Sequence, residues 1–191
     1  MQAPFKRVSY RPRPETAEEA LVAAAKYGDP AAFDALIERY APRLHAVARR
    51  LVGADAAADA VQETFIAAHR GIGGFRGGSS FSTWLHSILV HRCRRVGKRR
   101  RSHDALPESL TSCRAGPQQH AEGVMLRELL ERALGELPQD FRAALALREF
   151  SELSYEEIGA VLELRPGTVK SRIARARAHL REVLEREGVG P

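Results

Sequence analysis

Apolar residues recur every three or four positions through most of this chain, and no stretch shows the clean two-residue alternation with β-branched enrichment that a half-buried strand requires. That periodicity confines the fold to packed helices. The punctuation agrees. Thr16 with Glu19 makes a capping box for a first helix to about Tyr27. Asp29-Pro30 is an N-cap followed by proline at the first helical position, opening a second helix to about Val52. Phe33, Leu36, Ile37, Tyr40, Leu44, Val47, Ala48 and Leu51 form its apolar stripe. Pro42 lies inside that stripe, so a kink or a break is expected there, and Gly53 ends the helix. A third helix runs from Asp55 to about Arg70, with Ala58, Val61, Phe65 and Ala68 as its expected buried side. Gly71, Gly73, Gly74, Gly77 and Gly78 then interrupt, and Ser79 or Ser80 caps a fourth helix carrying Phe81, Trp84, Leu85, Ile88 and Leu89.

From residue 102 to residue 120 the periodicity is lost among Pro107, Gly116, Pro117 and several Ser, Thr and Gln, the pattern of a linker. Helical patterning resumes near Ala121 and continues to Glu187, and Gly188 to Pro191 should fray. The expected fold class is all-α: two small helical domains joined by a flexible linker, the C-terminal one a helix-turn-helix. The boundaries read as a disordered tail 1–14, an N-terminal domain 15–101, a linker 102–120 and a C-terminal domain 121–187. No internal repeat is present.

The chain carries a net charge of +6, which favours a polyanionic partner, nucleic acid or an acidic protein surface. Arginine accounts for most of the cations; codon bias in a GC-rich genome is one reading of their number and a basic function the other, so placement is the better guide. Cys93 and Cys113 fit a reducing compartment without a disulfide framework, and neither has a histidine at zinc-site spacing. No signal peptide and no run approaching the ~20 apolar residues of a membrane span is visible, so the expectations are a cytoplasmic location and no direct membrane insertion.

In the C-terminal half, Pro138 opens a helix through Phe150, and Ser154 with Glu157 forms a second capping box in LSYEEIGAVL. After a short turn, Pro166 opens RPGTVKSRIARARAHLREVL. Projected at 100° per residue, Val169, Ile173, Ala176 and Leu180 fall on one stripe, the core side. Ser171, Ala174, Arg175 and Ala178 lie opposite, with Lys170, Arg177 and Arg181 on one edge and Arg172 on the other. No acid occurs between Glu163 and Glu182. Small residues permit close approach, and cations on both edges reach phosphates on the two sides of a major groove. A solvated face normally mixes both signs of charge; this one does not.

No carboxylate occurs from Thr64 to His103, a stretch holding Arg70, Arg76, Arg92, Arg94, Arg95, Lys98, Arg99, Arg100 and Arg101 beside a glycine-serine loop and the only tryptophan. Cations that hold a backbone, an aromatic that wedges or stacks and a pliant loop make a single-strand surface. Trp84 taken singly reads as a core aromatic at helical spacing from Phe81 and Ile88; the charge asymmetry carries the inference. On the third helix, Asp55, Asp59 and Glu63 recur every four residues with Gln62 beside them. Such a stripe can hold magnesium, dock a basic protein helix or simply be solvated. Magnesium chemistry needs a second facing carboxylate cluster, and none is apparent, so docking is the better reading. GIGGFRGG lacks the spacing and the preceding strand of a dinucleotide loop, no G-x-x-x-x-G-K occurs, and His86 and His91 point apart on one helix. No enzyme, metal site or cofactor is expected.

DAVQETFIAAHRGIGGFRGGSSFSTWL and LPQDFRAALALREFSELSYEEIGAVLELRPGTVKSRIARAR together resemble the two domains of extracytoplasmic-function sigma factors, over roughly Ala31 to Leu184. The resemblance implies a non-catalytic subunit that binds core RNA polymerase and directs it to a promoter. It implies that Asp59, Gln62 and Glu63, in and beside the segment Ala60 to Phe65, pack on the polymerase clamp. It implies that Phe75, Arg76, Ser79, Ser80, Trp84, His91, Arg92 and Arg95 recognise and melt the minus-ten element, with a flipped base held by the loop. Thr168, Lys170, Ser171, Arg172, Arg175, Arg177 and Arg181 then belong to the helix that reads the minus-thirty-five element. The implied partners are core RNA polymerase, promoter DNA as duplex and as melted single strand, and an anti-sigma factor; the free chain is expected to be a monomer. Ala58 stands where the family often has an acid, and His91 where an asparagine is common.

Two rival readings compete with this one. A helix-turn-helix regulator binding duplex DNA unaided leaves the loop, Trp84 and the acidic stripe without a role. An all-α metal-dependent enzyme lacks its second carboxylate cluster. Cys93 and Cys113, two isolated thiols, read as incidental and not as a redox sensor.

Overall fold

Helix signals and helices coincide closely in the computed structural model, which describes residues 17–103 and 121–189. The elements are α1 (Ala17–Lys26), α2 (Pro30–Val52), α3 (Ala54–Gly71), a single 3-10 turn (Ile72–Gly74), α4 (Phe81–His103), α5 (Ala121–Glu136), α6 (Gln139–Ser151), α7 (Tyr155–Leu162) and α8 (Pro166–Arg186). No strand occurs among the described residues. Thr16, the expected tail 1–14, Cys113 and residues 104–120 of the expected linker lie outside them.

Asp29 caps α2, its Oδ1 accepting from the backbone N–H groups of Ala31 at 2.9 Å and Ala32 at 3.3 Å. Pro42 does not break the helix: α2 runs unbroken through it. The reason is its side. Pro42 and Glu38 are both exposed, so the Glu38 carbonyl that loses its partner is turned to water, while Leu36, Tyr40, Leu44, Val47 and Ala48 hold the opposite face in the core. α3 is rotated by about one position from the expected stripe. Ala57, Ala60, Val61, Thr64 and Ala68 are buried, Phe65 is half-buried and Ala58 is exposed. In ADAAADA the alanines offer almost no contrast in hydropathy, so contact with α2 on one side and α4 on the other decides which of them are covered. Thr64 satisfies its buried hydroxyl by donating to the Ala60 carbonyl at 2.7 Å.

The capping box of α7 forms as read: the Glu157 N–H donates to Ser154 Oγ at 3.1 Å, and the Ser154 N–H to Glu157 Oε2 at 2.9 Å. The turn into α8 passes through Glu163 in the left-handed region and folds back so closely that a Cβ at Gly159 would lie 2.6 Å from the Leu164 carbonyl oxygen. Only glycine fits there.

The two four-helix halves dock. α2 packs against α6 and α4 against α7, and their buried side chains form one contiguous core, with a small satellite of Leu129, Ala133 and Val183 between α5 and α8. At the joint, His86 is fully buried. Its Nδ1 lies 2.7 Å from the Ser82 carbonyl, which makes that nitrogen the donor, so Nε2 accepts from Ser151 Oγ of the other half, also at 2.7 Å. Burial pushes the His86 pKa below its ordinary value, the Ser82 carbonyl opposing it and the nearby Arg43 reinforcing it. Around the rim, Arg43 pairs with Glu152 at 3.6 Å, Arg50 with Glu131 at 3.7 Å and Arg94 with Asp140 at 3.9 Å. Solvent-accessible rim pairs contribute at most about 1 kcal/mol each, and of these three only Arg50–Glu131 is half-buried on both sides, so the apolar joint carries the docking.

Candidate nucleic-acid interface

The loop between α3 and α4 is pinned at both ends. At its start, Lys26 Nζ donates to the Phe75 carbonyl at 2.6 Å, and the Phe75 ring meets Trp84 and Phe81 with centroids 5.2 and 5.9 Å away. At its end, Ser80 is the residue that caps α4: its Oγ accepts from the Thr83 N–H at 3.1 Å. Between these pins Arg76, Gly77, Gly78 and Ser79 are exposed, and Gly77 sits at φ +73°, where a side chain would strain the backbone. Trp84 is half-buried, tilted on Phe81 at 5.5 Å and packed close to Gly71. It is largely a wall of the loop, as its spacing from Phe81 suggested, with one edge left to solvent.

Farther along α4, His91 and Arg95 are exposed and Arg92 is half-buried. Arg92 Nη1 lies 3.7 Å from Glu63 Oε2, and with Ile66, Arg70, Arg95 and Val96 they line a shallow groove between α3 and α4. The structure therefore sets the acidic stripe beside the cationic surface. Asp59, Gln62 and Glu63 are all exposed. Among the described residues no group of three or more His, Cys, Asp and Glu could hold a metal ion, and no helix is long and apolar enough to cross a membrane. Cys93 is buried, which pushes its thiol up to about 12, far from a reactive thiolate at neutral pH.

On α8, Val169, Ile173 and Ala176 are buried, Leu180 is half-buried, and Thr168, Lys170, Ser171, Arg175, Arg177 and Arg181 are exposed. The face is less uncompensated than the helix alone implies. Arg172 lies over the Phe141 ring and 3.2 Å from Asp140, and Arg177 reaches Glu149 at 2.6 Å; both acids are on α6. They stand far from these arginines in sequence, so helical projection carried no signal of them. Ser171 donates to the Thr168 carbonyl at 2.9 Å and keeps its lone pairs for a donor from outside.

Sequence reasoning identified Glu157 as a cap and missed its second contact. Its Oε1 accepts from Ser80 Oγ at 3.1 Å and from Thr83 Oγ1 at 3.2 Å, so one carboxylate joins the starts of α7 and α4. The Ser154 N–H is the main cause of its depressed pKa, opposed by burial and assisted by the hydroxyls of Ser80, Ser154 and Thr83.

Comparison with known proteins matches residues 36–103 to Sigma-70 region 2 and residues 127–180 to Sigma-70, region 4. The ECF RNA polymerase sigma-E factor of Escherichia coli (strain K12) is 36% identical over 84% of this chain and 90% of its own length. The protein of that name from Haemophilus influenzae is 37% identical over 84% and 91%. Among solved structures, CnrH in complex with the cytosolic domain of CnrY superposes with a TM-score of 0.70 at 29% identity, covering 89% of this chain and 98% of that one. The sigma factor RpoE in complex with the anti-sigma factor NepR from Bartonella quintana gives 0.67 at 33% identity, covering 80% and 96%.

Proposed function

We infer the working surfaces of this protein from one premise: the chain belongs to the extracytoplasmic-function (ECF) RNA polymerase sigma factors. It is a transcription initiation factor and not an enzyme, joining core RNA polymerase and bringing it to promoter DNA. On this reading the exposed Asp59, Gln62 and Glu63 on α3 dock on the polymerase. The loop and α4 hold the melted minus-ten strand, with Phe75, Trp84 and the capping Ser80 shaping the cradle, and Arg76, Ser79, His91, Arg92 and Arg95 lining its path. On α8, Thr168, Ser171 and Arg175 face the base edges of the minus-thirty-five element. Lys170 and Arg181 hold its phosphates, and Arg172 and Arg177 reach them after partial release from Asp140 and Glu149. The protein works in the cytoplasm beside its polymerase. An anti-sigma factor restrains it, as the complexes of CnrH and of RpoE with their partners support.

The observation that carries this assignment is the joining, in one chain, of a pinned loop on an acid-free cationic helix to a recognition helix with an exposed small-and-basic face. The test is reconstitution. Added to core polymerase and genomic fragments, the purified chain is expected to produce transcripts with discrete starts, sharing two upstream sequence blocks at fixed spacing. Duplex binding without core, and no start-site selection with it, would instead assign the protein to stand-alone regulators.

A further inference from the structure

The Glu157–Ser80–Thr83 contact joins residues 74 to 77 positions apart in sequence and belongs to neither half alone. Ser80 Oγ and Thr83 Oγ1 are 2.7 Å from each other and both face Glu157 Oε1. They stand at the first turn of a helix with no acid in that turn, beside the Phe75–Phe81–Trp84 aromatic group and the exposed Arg76. Two hydroxyl donors at the positive end of a long helix, next to aromatic faces and a cation, are the chemistry that receives a phosphodiester with its base. In this structure an anion is already seated there, and the other half supplies it.

The seat is not needed to fold α7. Glu157 closes its own capping box with Oε2 alone, accepting from the Ser154 N–H at 2.9 Å, and turns Oε1 outward to the opposite half. We propose that Glu157 is an internal stand-in for a phosphate of the melted minus-ten strand: while the halves are docked, the helix-turn-helix half occupies the start of α4, and the strand must displace it. This rests on the assignment of Ser80 and the loop to the minus-ten strand made above, and adds regulation of that same site. The consequence is a reduced apparent affinity of the free chain for single strands, by the fraction of molecules in which the seat is open.

The test uses the full chain and a fluorescein-labelled single-stranded 12-nucleotide pool of random sequence, read by anisotropy at fixed low salt. Glu157→Gln preserves the capping box, since glutamine serves at that position, but withdraws the charge from the seat. It is expected to tighten binding roughly 3- to 30-fold. Glu156→Gln makes the same change in net charge at an exposed neighbouring residue and is expected to leave affinity unchanged. In a Ser80→Ala background the gain from Glu157→Gln is expected to vanish. If Ser80→Ala weakens binding but Glu157→Gln equals wild type, the strand site stands and the masking idea falls. If Ser80→Ala has no effect in either background, the strand site itself is misplaced and the proposal falls with it. Equal gains from Glu156→Gln and Glu157→Gln would mean that only overall charge acts, which also overturns the proposal.

Discussion

Arg175 projects from the face of α8 opposite the buried Val169, Ile173 and Ala176, whereas Arg181 projects from its edge about 1.7 turns later. A phosphate contact adds affinity for any sequence, and its loss lowers the salt dependence by about one counterion. A base contact costs roughly 1–3 kcal/mol at its own position. Arg181→Ala is therefore expected to weaken minus-thirty-five binding about equally across single-base variants, with a shallower salt slope. Arg175→Ala should weaken the preferred sequence most and compress the range between good and poor ones. A binding panel of single-base promoter variants at several salt concentrations separates the two; a changed rank order for Arg181→Ala alone would reverse the assignment of faces. The sequence shows these positions because one helix fixes their directions. It does not show that Arg172 and Arg177 lean on Asp140 and Glu149, since the partners sit on another helix and come near only through packing. Arg177→Ala should accordingly cost less affinity than Arg181→Ala in the same panel, because Arg177 must leave an ion pair to reach DNA.

At the scale of the element, helices were legible wherever a cap met a periodic stripe, as at Asp29-Pro30 and Ser154–Glu157, because caps and periodicity are local. They were less legible where the side chains were too alike, as in the alanine-rich start of α3, or where exposure decided the outcome, as at Pro42. The loop before α4 shows the same limit. Its glycines announce a break, but not that Lys26 and the Phe75–Phe81–Trp84 group fasten its ends and leave only the middle free. Trp84 thus supports the cradle as well as bordering it. Trp84→Ala removes a half-buried indole and is expected to destabilise the protein by roughly 2–4 kcal/mol, less than a fully buried tryptophan. In holoenzyme that remains folded, it should reduce promoter opening more than closed-complex formation, read as weaker permanganate reactivity at unchanged duplex retention. Permanganate footprints of equal strength would confine Trp84 to packing.

For the whole molecule the joint between the halves is the feature least visible in the sequence, because its polar groups, His86, Ser151, Ser80 and Glu157, each look self-contained on their own helix. His86 makes the joint sensitive to pH. Its folded pKa is lowered, so above its ordinary value of 6.5 both folded and opened states leave it neutral and stability is flat. Below that, the opened or unfolded chain takes a proton that the docked chain refuses. Stability from this group is expected to decline from about pH 6.5 downward by at most ~1.4 kcal/mol per pH unit, and a His86→Gln variant should flatten that limb of a thermal-unfolding profile. Docking also sets a dimension. A compact body of the ~160 described residues has a radius of gyration of about 15 Å and a breadth near 40 Å. The minus-ten and minus-thirty-five elements lie about 25 base pairs apart, or ~85 Å at 3.4 Å per step. On the proposed assignment of the two DNA sites the docked form does not bridge them, so the halves part on the promoter. Ser151 offers a way to force that parting. It is 4% exposed, ends α6 and touches His86 across the joint, so a side chain of greater volume has no room there while the halves are docked. Ser151→Trp is expected to keep its far-UV helicity, since each half retains its own caps and stripes, and to raise the radius of gyration in small-angle scattering by several ångström, roughly the effect of separating two bodies of this size. The same variant should still support promoter opening with core polymerase, because the docked joint is absent from the working state. A scattering profile identical to wild type would mean that the joint repacks around the indole. Loss of opening with helicity intact would mean that contacts between the halves persist on the promoter, contrary to the distance between the two elements.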